Sequence, residues 1–144
     1  MQSEMMKRIF LDTNILMDYI DNREHGPEAA ILLDLGKQGV ICNCAAPVTF
    51  TTMSYLLHRR SSQEVHDCLQ RASQAIEILA MDAEQFQRAI DYGPVRDFED
   101  MMQYQCAIAG GCEVIVTNDL KGFEEYATLP IMTAAQFLQS MMDE

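Results

Sequence analysis

Positive charge is scarce in this sequence, and long apolar runs are missing from it. Ten lysines and arginines stand against 22 aspartates and glutamates, which gives a net charge of −12 over 144 residues. No apolar run reaches the roughly 18 residues that are needed to cross a bilayer. No charged-then-apolar signal segment is found at the start, where residues 1–6 are expected to form a loose leader. We therefore expect a soluble, cytoplasmic protein without a membrane partner.

The cysteines lack the spacing of a zinc or redox site. There are five of them, an odd number, and no CxxC pair occurs. Cys42 and Cys44 alternate as residues of a strand do, so their thiols are expected on one face. The prediction for all five is that they are reduced, buried, small hydrophobic residues.

No repeat, low-complexity tract or long linker interrupts the chain, and 144 residues suit one domain with one core. Strand-like apolar runs alternate with helical patterns. The predicted strands are Ile9–Leu11, Val40–Cys44, Ile76–Met81, Val114–Val116 and Pro130–Met132. The predicted helices with clear bounds are Ile15–Ile20, Pro27–Lys37, Pro47–Arg59, Ala83–Tyr92 and Phe98–Ala109. Two more are predicted, one after Ser61 and one after Thr133. The helix after Ser61 has Val65, Leu69, Ala72 and Ile76 on its apolar face. This alternation predicts an α/β fold, a three-layer sandwich with a mainly parallel central sheet.

Acidic residues occur where such folds bind ligands, beyond the carboxyl ends of the strands. Asp12 directly follows the first strand, and Asp119 follows the buried strand Val114–Val116. Three more acids open the helix that begins at Phe98, namely Asp97, Glu99 and Asp100. Carboxylates that lie together repel one another and raise each other's pKa. A hard divalent cation relieves this repulsion, and such cations prefer oxygen ligands.

Each acid also has a plainer interpretation. Asp12 is placed to cap the first helix, and Asp97 to cap the helix at Phe98, so Asp97 ranks below Asp100 as a ligand. Glu99, Asp18 and Asp21 are expected to face solvent. The order of the motifs along the chain therefore carries more weight than any one residue.

Together these motifs resemble the PIN domain, a ribonuclease fold found in many prokaryotic toxins. The matching segments run from Phe10 to Asp18, from Asp97 to Tyr104, and from Val114 to Asp119 with Phe123, and the segment from Leu129 to Leu138 resembles the family's last strand and helix. The likeness covers essentially Lys7 to Leu138.

The resemblance implies a set of site residues. Asp12, Asp100 and Asp119 match the family's metal-binding, catalytic carboxylates, and Asn14 and Thr117 match polar residues that support them. The implied cofactor is Mg²⁺ or Mn²⁺. The implied partners are an RNA substrate, an antitoxin protein and a second copy of the chain. The candidate surface for the dimer is formed by the apolar helices around Phe50 to Leu57.

One position departs from the family pattern. PIN domains commonly carry a glutamate on the helix after the second strand, but here that helix has no acid, and the next one is Glu64. Thr52 stands at or near the place of the missing glutamate. The alternatives are weaker metal binding, compensation by Asp97 or Glu99, or loss of activity.

Three functions compete at this point. The first is a metal-dependent endoribonuclease that cuts RNA by attack of water, in the role of a toxin. The second is a catalytically weak PIN scaffold that binds RNA or a protein, which the missing glutamate and the acidic charge favour. The third is an acid-based phosphotransferase, which needs an acid two residues after the nucleophilic aspartate. Asn14 occupies that position and counts against it.

Overall fold

The fold centres on a five-stranded sheet in which every neighbouring pair of strands runs parallel. The computed structural model describes residues 6–144, so residues 1–5, most of the predicted leader, lie outside the described residues. The strand order is β3-β2-β1-β4-β5. The strands are β1 (Lys7–Leu11), β2 (Ile41–Ala45), β3 (Ile76–Ile78), β4 (Val114–Val116) and β5 (Ile131–Met132).

Helices connect these strands. They are α1 (Thr13–Asp21), α2 (Gly26–Lys37), α3 (Pro47–Leu56), α4 (Ser62–Ser73), α5 (Ala83–Tyr92), α6 (Phe98–Ala109), α7 (Lys121–Glu124) and α8 (Ala134–Met142). Side chains fix where several of them begin. Ser61, Asp82 and Thr133 each form a capping box with the residue three positions on, which satisfies amides that the helix leaves free.

Alternation along the strands sends apolar side chains to both faces of the sheet. Ile9 and Leu11 pack with α1, α2, α3, α4 and α8 on one face. Phe10 points the other way and packs with residues of α5, α6 and α7. The two helical layers with the sheet between them confirm the predicted three-layer sandwich, and all the paired strands are parallel.

The structure shortens two predicted elements. The helix from Pro47 ends at Leu56 rather than at Arg59, and the strand from Ile76 ends at Ile78 rather than at Met81. The strand ends early because its partner β2 stops at Ala45, which pairs with Ile78, so the following residues have no strand to join. Ile76 was also counted in the spacing of α4, and this was wrong, since α4 ends at Ser73.

One helix was missed. The short α7 follows the Thr117-Asn118-Asp119 segment. Its four residues are too few to show helical periodicity in the sequence. Within residues 6–144, no helix combines the length and the apolar character that crossing a membrane requires.

Candidate active site

Two of the predicted acids leave the sheet side by side. Strands β1 and β4 are neighbours, with Leu11 paired to Val116, so the residues that follow them emerge at the same edge. The amide of Asp12 donates to the carbonyl of Val116 at 3.0 Å. Asp12 and the turn that carries Asp119 are therefore held together by the sheet itself.

Asp12 is held in place by three donors. The amide of Thr13 donates to its Oδ1 at 2.7 Å, and the hydroxyl of Thr117 donates to its Oδ2 at 2.8 Å. The amide nitrogen Nδ2 of Asn14 approaches the same Oδ2 at 3.3 Å. Asp12 is only 7% exposed, and its side chain caps α1. Asp12 thus serves as a helix cap and is also a buried carboxylate at the edge of the sheet.

Asn14 and Thr117 also order the turn after β4. The side-chain carbonyl of Asn14 accepts from the amide of Asn118 at 3.1 Å. The hydroxyl of Thr117 accepts from the amide of Asp119 at 3.0 Å. The two polar residues predicted to support the cluster therefore contact both Asp12 and the segment that leads to Asp119.

Asp100 approaches Asp119 from the first turn of α6. An ideal Cβ placed on Gly122 would lie 3.1 Å from Oδ2 of Asp100 and 3.2 Å from Oδ2 of Asp119. The two carboxylates thus flank the same glycine. Asp97 is exposed and caps α6 by accepting from the amide of Asp100 at 3.2 Å, as its plainer interpretation predicted.

Glu99 does not face solvent, and that expectation was wrong. The hydroxyl of Thr52 donates to its Oε1 at 2.6 Å, and Nε2 of Gln103 donates to its Oε2 at 3.1 Å. Gln103 is fully buried and also lies 3.5 Å from the hydroxyl of Thr13. Packing of α3 against α6 therefore turns Glu99 toward Thr52, the residue that the sequence comparison put at or near the place of the missing glutamate.

The expectation that Asp18 faces solvent was also wrong. Asp18 is 5% exposed, and Nδ2 of Asn118 donates to its Oδ2. The guanidinium of Arg23 lies 3.9 Å from its Oδ1. Asp21, one turn further, is half-buried and forms ion pairs with Arg23 and Arg60. Asp18 lies one helical turn after Asn14, on the same buried side of α1, and therefore contacts the turn after β4.

The carboxylates influence one another electrostatically. Burial raises the pKa of Asp12 from 3.8 to about 6; the bonds from Thr117 and Thr13 oppose this rise, and the charges of Glu99 and Asp119 add to it. Burial raises the pKa of Asp100 to about 7, and the charges of Asp12, Asp97, Glu99 and Asp119 contribute further. The five acids therefore act as one group of coupled charges.

This group of side chains suits a hard divalent cation. All of its ligand atoms would be carboxylate oxygens, and a cation would offset the repulsion between their negative charges. As placed in residues 6–144, however, no three His, Cys, Asp or Glu side chains form a set ready to hold a metal ion. Asp12 and Glu99 are each tied by hydrogen bonds to their own neighbours. Binding a cation would require some of these side chains to move.

The fold and the site together define a class, the parallel α/β domains that gather carboxylates at the carboxyl edge of the sheet. Residues 8–121 match the profile of the PIN domain, and the chain belongs to the PIN domain family. The resemblance inferred from the sequence motifs is thereby confirmed.

Known proteins support this assignment at low identity. The chain is 21% identical over 141 residues to ribonuclease VapC1 of Aquifex aeolicus (strain VF5), covering 92% of this chain and 94% of that protein. VapBC2 from Rickettsia felis, solved bound to a promoter DNA fragment, matches with a TM-score of 0.64 and 20% identity, over 86% of this chain and 96% of the other. VapC20 of Mycobacterium tuberculosis, a toxin that cleaves the sarcin–ricin loop, matches with a TM-score of 0.63 and 13% identity. The match covers 82% of this chain and 95% of VapC20.

Proposed function

We propose that this PIN domain protein is a Mg²⁺- or Mn²⁺-dependent endoribonuclease. The observation that carries the proposal is the convergence of Asp12, Asp100 and Asp119, with the pKa values of Asp12 and Asp100 raised to about 6 and about 7. Such coupling is typical of functional sites. The names of the related ribonuclease and toxins point to the same reaction class.

In this proposal the three aspartates hold the cation, and Glu99 takes the place of the acid that α3 lacks. Thr52 and Gln103 orient Glu99 through their hydrogen bonds. When bound, the cation supplies Lewis-acid stabilisation of the phosphate and an activated water near neutral pH. Asn14 and Thr117 keep Asp12 and the Asp119 turn in register. The products are expected to carry a 5′-phosphate and a 3′-hydroxyl, as the family resemblance implies.

The proposal extends to the biological setting. A similar structure from Klebsiella pneumoniae is a toxin–antitoxin complex, and VapC20 of Mycobacterium tuberculosis is a toxin. We therefore propose that this protein is the toxin of such a pair, restrained by an antitoxin protein. In this role it would meet its RNA substrate in the cytoplasm, which is the location we propose.

The decisive experiment compares Asp12→Asn with Glu64→Gln. A ligand that binds only the native state raises stability by about 2.7 kcal/mol at one hundred times its Kd. Millimolar Mn²⁺ should raise the melting temperature of the wild type, and the protein should cleave single-stranded RNA. Asp12→Asn should abolish both effects, because it removes a ligand charge and retains the shape, and Asp100→Asn and Asp119→Asn should do likewise.

Glu64→Gln is the matched control, because Glu64 is exposed in the capping box of α4 and glutamine can fill the same role. It should behave as the wild type does. A wild type that shows neither a Mn²⁺ shift nor cleavage would favour the second candidate, a catalytically weak PIN scaffold. Two observations favour this scaffold, namely the absence of acids from α3 and the net charge of −12.

A further inference from the structure

Most basic side chains of this acidic protein are already engaged. Within residues 6–144, five of the ten bases form ion pairs, and Arg71 lies over the ring of Tyr19. The five are Lys7, Arg8, Arg23, Arg60 and Arg88. Of the four that remain, Arg96 and Lys121 lie far apart in sequence and line the same cavity.

This cavity adjoins the acidic site. Its volume is about 350 Å³, within the range of pockets that hold small ligands. Asp97, the cap of α6, and Gly122, which separates Asp100 from Asp119, are part of its wall. Two bases without an ion pair thus stand next to the carboxylates, where a substrate that reaches the acids would pass.

Tyr126 also lines this cavity, and its polar group lies just behind the wall. Its hydroxyl is buried and has no hydrogen-bond partner within the described residues. Its ring makes edge-on contacts with Tyr92, Tyr104 and Phe123, at centroid distances of 5.7, 5.2 and 6.4 Å. The neighbouring charges of Asp100 and Asp97 add to burial in raising the pKa of Tyr126, so its hydroxyl keeps its proton as a donor. A buried donor without an acceptor is costly unless a ligand supplies one.

The remaining wall restricts what can bind. Glu124 and Glu125 join Asp97 in the lining, so three acids stand against the two bases. This balance disfavours a free anion, which would gain little from Arg96 and Lys121 alone. It permits a phosphate that belongs to a longer chain and is anchored next door. Single-stranded RNA is such a chain.

We propose that the cavity between Arg96, Lys121 and Tyr126 is a subsite for the nucleotide next to the phosphodiester that is cut. Arg96 and Lys121 hold the phosphate of that nucleotide, and a small shift of the Tyr126 side chain brings its buried hydroxyl to donate to it. The subsite rests on the proposed function, since it takes the cut phosphodiester to lie at the acids. It makes these three positioning residues for the RNA rather than catalytic ones.

The test measures RNA binding rather than cleavage. The Asp12→Asn protein is titrated without metal into a short fluorescent single-stranded RNA, and fluorescence anisotropy gives the Kd. Adding Arg96→Gln and Lys121→Gln should weaken binding about tenfold, as expected for two charge-assisted contacts. The slope of log affinity against log salt should become shallower by about 0.7 for each phosphate contact that is lost. Tyr126→Phe, which keeps the ring contacts, should weaken binding about threefold.

The matched control is Lys37→Gln with Arg59→Gln in the same background. It makes the same change in net charge at two bases that also lack ion pairs within the described residues, and should change the Kd less than twofold. Equal weakening by both pairs of substitutions would overturn the subsite, since the effect would then come from net charge.

The outcomes separate the subsite from the proposed function. If the wild type cleaves RNA and the Arg96 and Lys121 substitutions match the control pair, the subsite fails and the ribonuclease stands. If the wild type cleaves nothing but those substitutions selectively weaken RNA binding, the ribonuclease fails and an RNA-binding cavity stands.

Discussion

At the scale of single residues, Asp12 combines two tasks that often fall to different side chains. It caps α1 and also belongs to the coupled carboxylates at the sheet edge. Asparagine is as good a helix cap as aspartate. A change to asparagine can therefore remove the charge and leave the helix start in place, which makes Asp12→Asn an informative variant.

The coupled charges predict how the metal-free protein responds to pH. The pKa values of Asp12 and Asp100 are raised in the folded state, from 3.8 to about 6 and about 7. Between about pH 4 and about pH 7 the native state therefore binds more protons than the unfolded state, and the contribution of these groups to stability falls as pH rises. The melting temperature of the wild type relative to Asp12→Asn, measured in a chelator, should fall across this range.

The control for this pH series is Asp34→Asn, which changes an exposed acid of α2. Its melting temperature relative to the wild type should show a smaller dependence on pH. A difference between wild type and Asp12→Asn that stays constant from pH 4 to pH 7 would contradict the coupling.

Gly122 is predicted to control the spacing of two acids. A Cβ at this position would press against the carboxylate oxygens of Asp100 and Asp119, at 3.1 and 3.2 Å. Gly122→Ala should therefore displace these carboxylates and weaken Mn²⁺ binding by roughly tenfold in a thermal-shift titration, equivalent to about 1.4 kcal/mol. Gly39→Ala, which has open space around it but a positive φ of 78°, should lower stability and leave the Mn²⁺ affinity unchanged.

At the scale of secondary-structure elements, the contact between α3 and α6 brings an acid to the residue near which the family's glutamate is missing, and we propose that this acid takes its place. Thr52 on α3 donates to Glu99, which lies in the first turn of α6. A carboxylate near the start of a helix is favoured by the helix dipole. The negative charge is thus supplied by α6, and α3 contributes the hydroxyl that orients it.

Thr52→Val should release Glu99 with little change in shape. We expect a loss of about 1 kcal/mol in the free energy of unfolding, because one partly buried hydrogen bond to a carboxylate is removed. We also expect a lower affinity for Mn²⁺. The control is Thr51→Val, one residue earlier on the exposed side of α3, which should change neither quantity appreciably. Unchanged Mn²⁺ affinity in Thr52→Val would remove Glu99 from the site.

At the scale of the whole molecule, the outer side of α3 carries apolar side chains that no other part of the described chain covers. Tyr55 is 71% exposed and Leu56 is 50% exposed, and the ring of Tyr55 stacks on His58 at 5.5 Å. We propose this surface for the predicted homodimer. With bases so scarce, two subunits would together offer more positive charge to one RNA than a single subunit can.

The dimer is tested by Tyr55→Lys combined with Leu56→Lys. Sedimentation at high protein concentration should give a dimer for the wild type and a monomer for this variant, since burying two new charges is costly. Met142→Lys, at a side chain that is 78% exposed on α8, is the control and should stay dimeric. A wild type that is monomeric at high concentration would rule the dimer out.

The sequence by itself determined the layers and most of the site. The apolar runs Val114–Val116 and Ile9–Leu11 predicted buried strands, and the acids that follow them were therefore expected at the carboxyl ends of those strands. Asp12, Asn14, Thr117 and Asp119 were predictable because each lies within three residues of a strand end. Their places follow from local chain order.

Only the tertiary structure decided the rest. Glu99 meets Thr52 across 47 residues, and Asp18 meets Asn118 across 100, and no local pattern encodes such contacts. Both acids were expected in solvent because the sequence of a helix shows which of its residues are polar but not which segments pack over them. The cavity of Arg96, Lys121 and Tyr126 has the same origin, since separate segments meet there only after α6 and α7 pack together.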